Sequence, residues 1–268
     1  ATVVSLGTSV VEDIAGFVAA TYLRGVDLVH CPTNLIAMID TSIGGKVALD
    51  RPQGRNLVGL FKQPTAVVAD VATLQTLAPR EFPAGMDEVV KHGLIAGSDL
   101  LAQVEAGEWT TADKALPGAL GRLQAMVAQA IQVKIAIVQE DPFEAGRREV
   151  LHLGHTFAYA IEHVTGGRVN HGEAVGMGLV AAARLSERSG LAEPGLASYV
   201  ESLLTHVGLS ARLPERTEPG TLVEAMRRDK KRRGGRLRFV LLRDVGDVIV
   251  TGDVSGDDLD AVLDSLNP

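Results

Sequence analysis

The sequence predicts an α/β protein whose first part builds a mostly parallel sheet and whose remainder is mainly helical. Up to about residue 80, short runs of β-forming residues alternate with helical stretches. From about Pro79 onward, long stretches repeat their apolar residues at three- and four-residue spacing, as on one face of a helix. We therefore predict two domains, residues 1–78 and residues 79–268.

The first part is predicted to contain three buried strands and one helix. Thr2–Leu6, Val26–His30 and Ala66–Asp70 have strand composition, and the apolar, alanine-rich stretch Val10–Tyr22 has that of a helix. Strands that alternate with helices predict a parallel sheet covered on both faces.

The second part is predicted to hold five long helices, a late hairpin and a short final helix. The helices are expected at Glu81–Ala96, Ala112–Glu140, Arg148–Thr165, Glu173–Ser189 and Leu196–Val207. The hairpin is expected at Leu237–Leu242 with Val248–Thr251, and the final helix at Asp257–Leu266.

Composition excludes several classes of protein. The longest nearly apolar run, Val175–Leu185, is far shorter than the roughly 20 residues of a membrane span. A net charge of −7 disfavours general nucleic-acid binding. Cys31 is the only cysteine, which rules out an internal disulfide and favours a reducing, cytoplasmic setting. The chain opens at Ala1 inside a strand-like run, so we expect an N-terminal part of a larger protein to be missing.

Two histidines form the strongest local signal for chemistry. His155 and His171 each stand at or near a predicted helix start, and imidazole is a common metal ligand. Two imidazoles and one carboxylate leave an open position on Zn²⁺ for substrate. Spacing alone does not choose among the candidate carboxylates Asp87, Glu88, Glu162 and Glu173. The alternative is that both histidines cap helices or complete hydrogen bonds in the core.

Several basic residues have sequence neighbours that are unusual for surface lysines. Lys46 follows Gly44-Gly45, but Val47 stands where a Walker A loop needs Ser or Thr. Lys91 shares a helix face with Glu88, and Lys134 interrupts an apolar stretch. For each lysine taken alone, a solvated position is the favoured interpretation. The run from Arg227 to Arg233 is either a solvated face or a source of a phosphate ligand, and nucleic-acid binding is weakly supported because no aromatic residues interleave.

The turn after the first strand is a weak signal for phosphate binding. Leu6-Gly7-Thr8-Ser9 joins a strand to a helix, where free backbone N–H groups can face an anion. Asp13, one turn into that helix, is suited to orient a ribose or nicotinamide, or is simply exposed.

Taken in series, these motifs resemble the 3-dehydroquinate synthase family of sugar-phosphate cyclases. The matching segments run through nearly the whole chain: residues 13–25, Gly44-Gly45-Lys46, residues 85–91, residues 153–157, residues 171–175 and Asp229-Lys230-Lys231. The resemblance implies that residues 1–78 are the C-terminal part of a Rossmann-like NAD-binding domain. It implies that residues 79–268 form a mainly helical metal- and substrate-binding domain.

The resemblance also implies ligands and roles for single residues. Glu88 joins His155 and His171 on Zn²⁺ or Co²⁺, and Arg24 reaches the site of a neighbouring subunit, which implies a homodimer. The substrate positions are Lys46, Asn56, Lys91, Lys134, Arg148, His152, Tyr159 and Lys230 or Lys231. The NAD positions are Thr8, Ser9, Val10, Asp13, Thr33, Asn34, Asp40, Lys46, Arg55, Thr73, Thr76 and Leu77.

The implied reaction is that of a phosphate-eliminating carbon–oxygen lyase of the shikimate pathway, which leads to the aromatic amino acids. The substrate is 3-deoxy-D-arabino-heptulosonate 7-phosphate. A ring hydroxyl is oxidised, phosphate leaves by β-elimination, the ketone is reduced again, and the opened ring closes by an intramolecular aldol reaction to give 3-dehydroquinate.

The chain departs from the family pattern at the cofactor turn and beside the metal. Thr8-Ser9 and Glu12 replace glycines, His152 replaces an Asn, and Tyr159 replaces a second His. Three interpretations follow: a dehydroquinate synthase, a related cyclase of the 2-deoxy-scyllo-inosose or 2-epi-5-epi-valiolone type, or a non-catalytic homologue. The retained lysines and metal ligands argue against the third. They also argue against a polyol dehydrogenase, which would not need so many lysines that face the substrate.

Overall fold

A computed structural model describes residues 1–51, 54–97, 99–107, 118–230 and 237–268. The chain forms two compact units. The first comprises Ala1–Val89 and Thr111–Arg148, and the second comprises Val90–Thr110 and Glu149–Pro268. The predicted division at residues 78 and 79 stays a prediction.

A three-stranded parallel sheet organises the first unit. Strands β1 (Thr2–Gly7), β2 (Asp27–Pro32) and β5 (Ala66–Val67) lie in the order β1-β2-β5, and helix α1 (Ser9–Thr21) connects the first two. The predicted parallel pairing is therefore confirmed. The expected strand Ala66–Asp70 is wrong in length, because Asp70 caps a 3₁₀ turn, Val71–Thr76, that replaces its end.

An antiparallel hairpin, β3 (Lys46–Arg51) with β4 (Gly54–Phe61), was not predicted from the sequence. Leu57 and Val58 are adjacent in β4, and both are about half exposed, so the strand lacks an alternating pattern. A Cβ at Gly59 would lie 2.7 Å from the carbonyl oxygen of Val47, so glycine permits the close approach of the two strands.

Two helices of the first unit lie at the predicted places. α2 spans Glu81–Ala96 and continues into the second unit from Val90 onward. α4 spans Ala119–Glu140 and packs against the π-helical turn Ala37–Thr41. The first residues of the predicted Ala112–Glu140 helix lie outside the described residues.

The second unit is mainly helical, as predicted. Its further elements are α3 (Leu100–Ala106), α5 (His155–Thr165), α6 (His171–Arg188), α7 (Leu196–His206), α8 (Pro219–Lys230), β6 (Phe239–Asp244), β7 (Asp247–Thr251) and α9 (Gly256–Asp264). Helices α3 and α8 were not predicted. The charged residues 227–230 obscure the helical apolar pattern in the sequence of α8, which packs against α5 and α9.

The predicted single helix Arg148–Thr165 is wrong. A 3₁₀ turn, Arg147–His152, precedes Gly154, whose φ of +80° is left-handed, and α5 starts only at His155. This break places His155 at a helix start. No helix in the described ranges is long and apolar enough to cross a membrane.

A buried histidine links β1 to β2 and gives the fold a pH dependence. His30 is 2% exposed, its Nδ1 lies 2.7 Å from Ser5 Oγ, and burial lowers its pKa. Below about pH 6.5, His30 therefore takes up a proton in the unfolded chain, while it stays neutral in the folded chain. The contribution of His30 to stability is full above that pH and is lost as the pH falls toward its lower folded pKa.

We expect His30→Asn to reduce the loss of unfolding free energy between about pH 7.5 and pH 5, measured by urea denaturation. The exposed His163 offers a control, since His163→Asn should keep the wild-type pH dependence. Equal pH dependence in wild type and His30→Asn would contradict this assignment.

Candidate metal centre and substrate site

Two helix starts in the second unit bring His155 and His171 together. Each is the first residue of its helix, α5 or α6, and the ring centroids are 5.5 Å apart. A capping box fixes the start of α6: Asn170 Oδ1 accepts from the Glu173 N–H at 2.9 Å, and Glu173 Oε2 accepts from the Asn170 N–H at 3.0 Å.

Hydrogen bonds at Nδ1 set the tautomer of both rings. His155 Nδ1 lies 3.2 Å from the carbonyl oxygen of Leu153, and His171 Nδ1 lies 2.7 Å from Glu162 Oε1. Both partners are acceptors, so Nδ1 carries the hydrogen in each ring. Nε2 is then the nitrogen able to bind a metal, as in carboxylate–histidine–metal arrangements.

Glu88 supplies a carboxylate of the kind that this pair needs. It is fully buried in α2. Glu88, His155 and His171 each offer a ligand atom, and these atoms lie within 4.8 Å of one another. Two imidazoles and a carboxylate form a donor set that fits a catalytic Zn²⁺ with an open position.

The other carboxylates considered from the sequence have different surroundings. Glu162 accepts from His171, so it orients a ligand, and Glu173 completes the capping box. Asp87 is fully buried beside Glu88 in α2. A second group of possible donors, Asp40, Glu88 and His92, shares Glu88 with the first. It holds one imidazole instead of two and is therefore the poorer zinc site.

His152 and Tyr159 surround His155. Their ring centroids lie 5.9 Å and 5.7 Å from that of His155, and the Tyr159 ring stacks on His171 at 6.4 Å. Tyr159 follows His155 by one helical turn, as expected from the sequence. Both non-family side chains are therefore neighbours of the two histidines.

Basic side chains of the first unit form ion pairs with nearby carboxylates. Lys134 donates to the side chain and backbone oxygens of Asp40, and Lys46 donates to Glu144. Arg148 donates from Nη1 to the Pro142 carbonyl at 2.7 Å and from Nη2 to the Gly44 carbonyl at 3.0 Å.

Burial distinguishes these cations from ordinary surface residues. The exposed fraction is 6% for Lys134, 1% for Lys91 and 2% for Arg148, so the solvated interpretation is wrong for both of these lysines. Lys46, whose side chain is 41% exposed, fits the solvated interpretation better. Burial lowers the pKa of Arg148, and Glu144 and Asp40 oppose that shift, so both ion pairs lie near this guanidinium.

The turn after β1 lies at the carboxyl end of the parallel strands, where open α/β sheets bind ligands. Thr33 N–H donates to Gly7 O at 2.9 Å, and Ser9 Oγ accepts from Thr41 at 2.9 Å. Asn34 Oδ1 accepts from the Ala37 N–H, and Asp13 Oδ1 accepts from the Ala48 N–H, each at 3.0 Å. Asp13 thus joins α1 to β3, so the interpretation that it is simply exposed is wrong. Val10, the residue after Ser9, is 67% exposed.

Most of the remaining predicted residues belong to other parts of the first unit, and Lys230 and Lys231 belong to the second. Thr73, Thr76 and Leu77 belong to or follow the 3₁₀ turn after β5, and the two hydroxyls donate to backbone carbonyls. Asn56 and Arg24 are exposed with φ of +53° and +68°. The side chains of Arg55 and Lys230, and the whole of Lys231, lie outside the described part of the chain.

One buried residue was not predicted to belong to the site. Glu12, in the first turn of α1, is 1% exposed, although the sequence marked it only as a departure from the family pattern. A Glu that replaces a glycine is the signal that could have identified it.

Comparison with known proteins gives a consistent result. The family model of the 3-dehydroquinate synthase N-terminal region matches residues 1–84, and that of the C-terminal region matches residues 85–232. A 3-dehydroquinate synthase of Symbiobacterium thermophilum is 46% identical over 98% of this chain and 73% of its own length. One from a Synechococcus species is 43% identical over 99% of this chain and 72% of its own length.

Two solved structures share the fold. A 2-epi-5-epi-valiolone synthase from Streptomyces hygroscopicus, with NAD⁺ and Zn²⁺ bound, gives a TM-score of 0.89 at 27% identity, over 99% of this chain and 73% of that one. A 2-deoxy-scyllo-inosose synthase, complexed with carbaglucose-6-phosphate, NAD⁺ and Co²⁺, gives 0.84 at 29% identity, over 98% and 73%.

We expect Glu162→Gln to weaken Zn²⁺ binding by about 10- to 100-fold, because the amide keeps the shape but loses the charge that polarises His171. Competition with a chelator of known affinity measures the change. Glu215→Gln, which removes an exposed partner of Arg168, is the control and should bind Zn²⁺ as wild type does. Unchanged affinity in Glu162→Gln would show that this carboxylate does not support a metal ligand.

Proposed function

The chain belongs to the 3-dehydroquinate synthase family, and from this premise we propose that it converts 3-deoxy-D-arabino-heptulosonate 7-phosphate into 3-dehydroquinate and phosphate. The observation that carries the proposal is the 43–46% identity to synthases of that name across 98–99% of the chain. The reaction belongs to the shikimate pathway.

The enzyme uses NAD and a divalent metal. Solved cyclases of the same fold, at 27% and 29% identity, hold NAD⁺ with Zn²⁺ or Co²⁺. When bound, NAD⁺ supplies a hydride acceptor and the divalent ion lowers the pKa of a coordinated substrate hydroxyl.

Glu88, His155 and His171 are the metal ligands in this proposal. The assignment is supported by their proximity and by the Nδ1 hydrogen bonds that direct Nε2 of each ring toward a metal. Leu153 and Glu162 hold the two rings in that orientation. The chain thus fixes the donor atoms before substrate arrives, which reduces the reorganisation needed during the reaction.

The buried cations hold the anionic substrate. Lys91, Lys134 and Arg148 are all at least nine-tenths buried, and a buried charge interacts more strongly with a phosphate or carboxylate than a solvated one. Lys46, Asn56 and Lys230 or Lys231 complete the contacts. In the absence of substrate, Asp40 and Glu144 neutralise two of the lysines, so the substrate anion replaces a carboxylate that is already there.

The family resemblance assigns a set of residues to this chain's part of the NAD site. They are Thr8, Ser9, Val10, Asp13, Thr33, Asn34, Asp40, Lys46, Arg55, Thr73, Thr76 and Leu77. The support is the position of the turn after β1, at the end of the strands where dinucleotides bind in such sheets.

His152 and Tyr159 favour a second candidate, a related cyclase that acts on another sugar phosphate. Both rings lie within 6 Å of His155, so they are placed to select among substrates. We infer a cytoplasmic homodimer in either case, from the single cysteine and from the match of Arg24 to a residue that enters a neighbouring site.

We expect phosphate release from 3-deoxy-D-arabino-heptulosonate 7-phosphate when NAD⁺ and Zn²⁺ or Co²⁺ are supplied, measured by a phosphate assay. Glucose 6-phosphate and sedoheptulose 7-phosphate are the parallel substrates, and His171→Ala is the inactive control. Release from one of these two alone would assign the related cyclase activity. Release from none of the three would overturn both proposals.

The dimer proposal predicts complementation between two inactive variants. Arg24→Ala and His171→Ala each disable a site, but a mixed dimer builds one intact site from the two chains. After subunit exchange we expect about a quarter of wild-type activity, because half of the dimers are mixed and each has one working site. His171→Ala mixed with Glu88→Gln should stay inactive, since both changes lie in the same chain's site. No recovery in the first mixture would contradict the role of Arg24.

A further inference from the structure

Glu12 is a buried acid that the proposed reaction does not use. Its side chain is 1% exposed, and neither carboxylate oxygen has a hydrogen-bond partner among the described residues. A buried carboxyl group without partners costs stability, so its presence in the first turn of α1 calls for a role.

The helix geometry fixes where Glu12 points. Ser9, Glu12 and Asp13 share one face of α1, at i, i+3 and i+4. Ser9 accepts from Thr41 of the π-helical turn, and Asp13 accepts from the Ala48 N–H of β3. Glu12 therefore lies on the face of α1 that meets this turn and β3, while α1 also packs against β1 and β2.

Two charged groups act directly on Glu12, and the neighbouring elements carry others, including the buried His30 of β2. Lys134 of α4 attracts it and Asp13 of its own helix repels it. The π-helical turn contributes Asp40, which is already paired with Lys134. In β3, Asp50 acts on Asp13, and Lys46 is paired with Glu144.

Burial raises the pKa of Glu12 to about 8, with a further increase from Asp13 and an opposing effect from Lys134. The neutral form therefore predominates at pH 7. The carboxylate predominates in mildly alkaline solution.

We propose that Glu12 is a positioning residue for Lys134: neutral Glu12 leaves the Lys134 ammonium with Asp40, and ionised Glu12 competes with Asp40 for it. The inference rests on the proposed function, in which Lys134 holds an anionic substrate. An ionised Glu12 then weakens substrate binding in two ways, by attracting Lys134 toward α1 and by adding negative charge beside it.

The pH profile of KM tests this inference. In the wild type, we expect KM for 3-deoxy-D-arabino-heptulosonate 7-phosphate to rise about three- to tenfold between pH 7 and pH 9, as one charge-assisted contact is lost. Glu12→Gln keeps the size but does not ionise, and its KM should stay flat. Glu140→Gln, an exposed change in α4, should follow the wild type. A wild-type profile in Glu12→Gln would overturn the inference.

A double-mutant cycle separates this inference from the proposed function, because it needs no turnover. Glu12→Gln and Lys134→Met are combined, and unfolding is measured at about pH 6 and pH 9. We expect additive effects at the lower pH, where Glu12 is neutral, and a coupled pair at the higher pH. Additivity at both values would overturn the inference even in an active enzyme, whereas coupling without phosphate release would refute only the proposed reaction.

Discussion

The candidate metal centre depends on the backbone contact between α5 and α6. A Cβ at Gly178 would overlap the carbonyl oxygen of Gly154, and one at Gly154 would lie 3.0 Å from the Leu179 nitrogen. The two helices pack this closely because both residues are glycine. The distance between His155 and His171 follows from that contact, since each histidine begins one of the helices.

Internal partners hold several polar side chains of the candidate site residues. In the second unit, the Leu153 carbonyl and Glu162 orient the two imidazoles. In the first unit, Asp40 pairs with Lys134 and Glu144 pairs with Lys46. In the proposed function, an anionic substrate would therefore replace more than one internal carboxylate, which would favour a ligand with several anionic groups.

The sequence allowed the parallel sheet, most helix positions and both histidines to be predicted, because each leaves a local pattern. The β3–β4 hairpin was missed because β4 carries exposed apolar residues next to one another and lacks alternation, and β3 buries only Val47. Spacing could not separate Glu88 from Glu162, since the difference lies in a tertiary contact: Glu162 accepts from His171 Nδ1. The family resemblance, and not the pattern, led to the proposal of Glu88 as a ligand.

Side-chain burial was the property that local sequence patterns predicted least well. Lys134 was expected at the surface because a single lysine in an apolar helix usually reaches water, and nothing local reveals the π-helical turn that covers it. The burial of Glu12 was likewise not predicted, since β3 and the π-helical turn, which meet its face of α1, are more than 20 residues away in the chain.

The exposed face of β1 has a consequence for how this sheet can be extended. Val4 and Leu6 are 62% and 71% exposed, and within the described part of the chain β1 pairs with β2 alone. An apolar strand with unpaired backbone groups along one edge accepts a further strand. The sheet can therefore grow at β1 by main-chain hydrogen bonds, with Val4 and Leu6 as apolar contacts for whatever packs on that face.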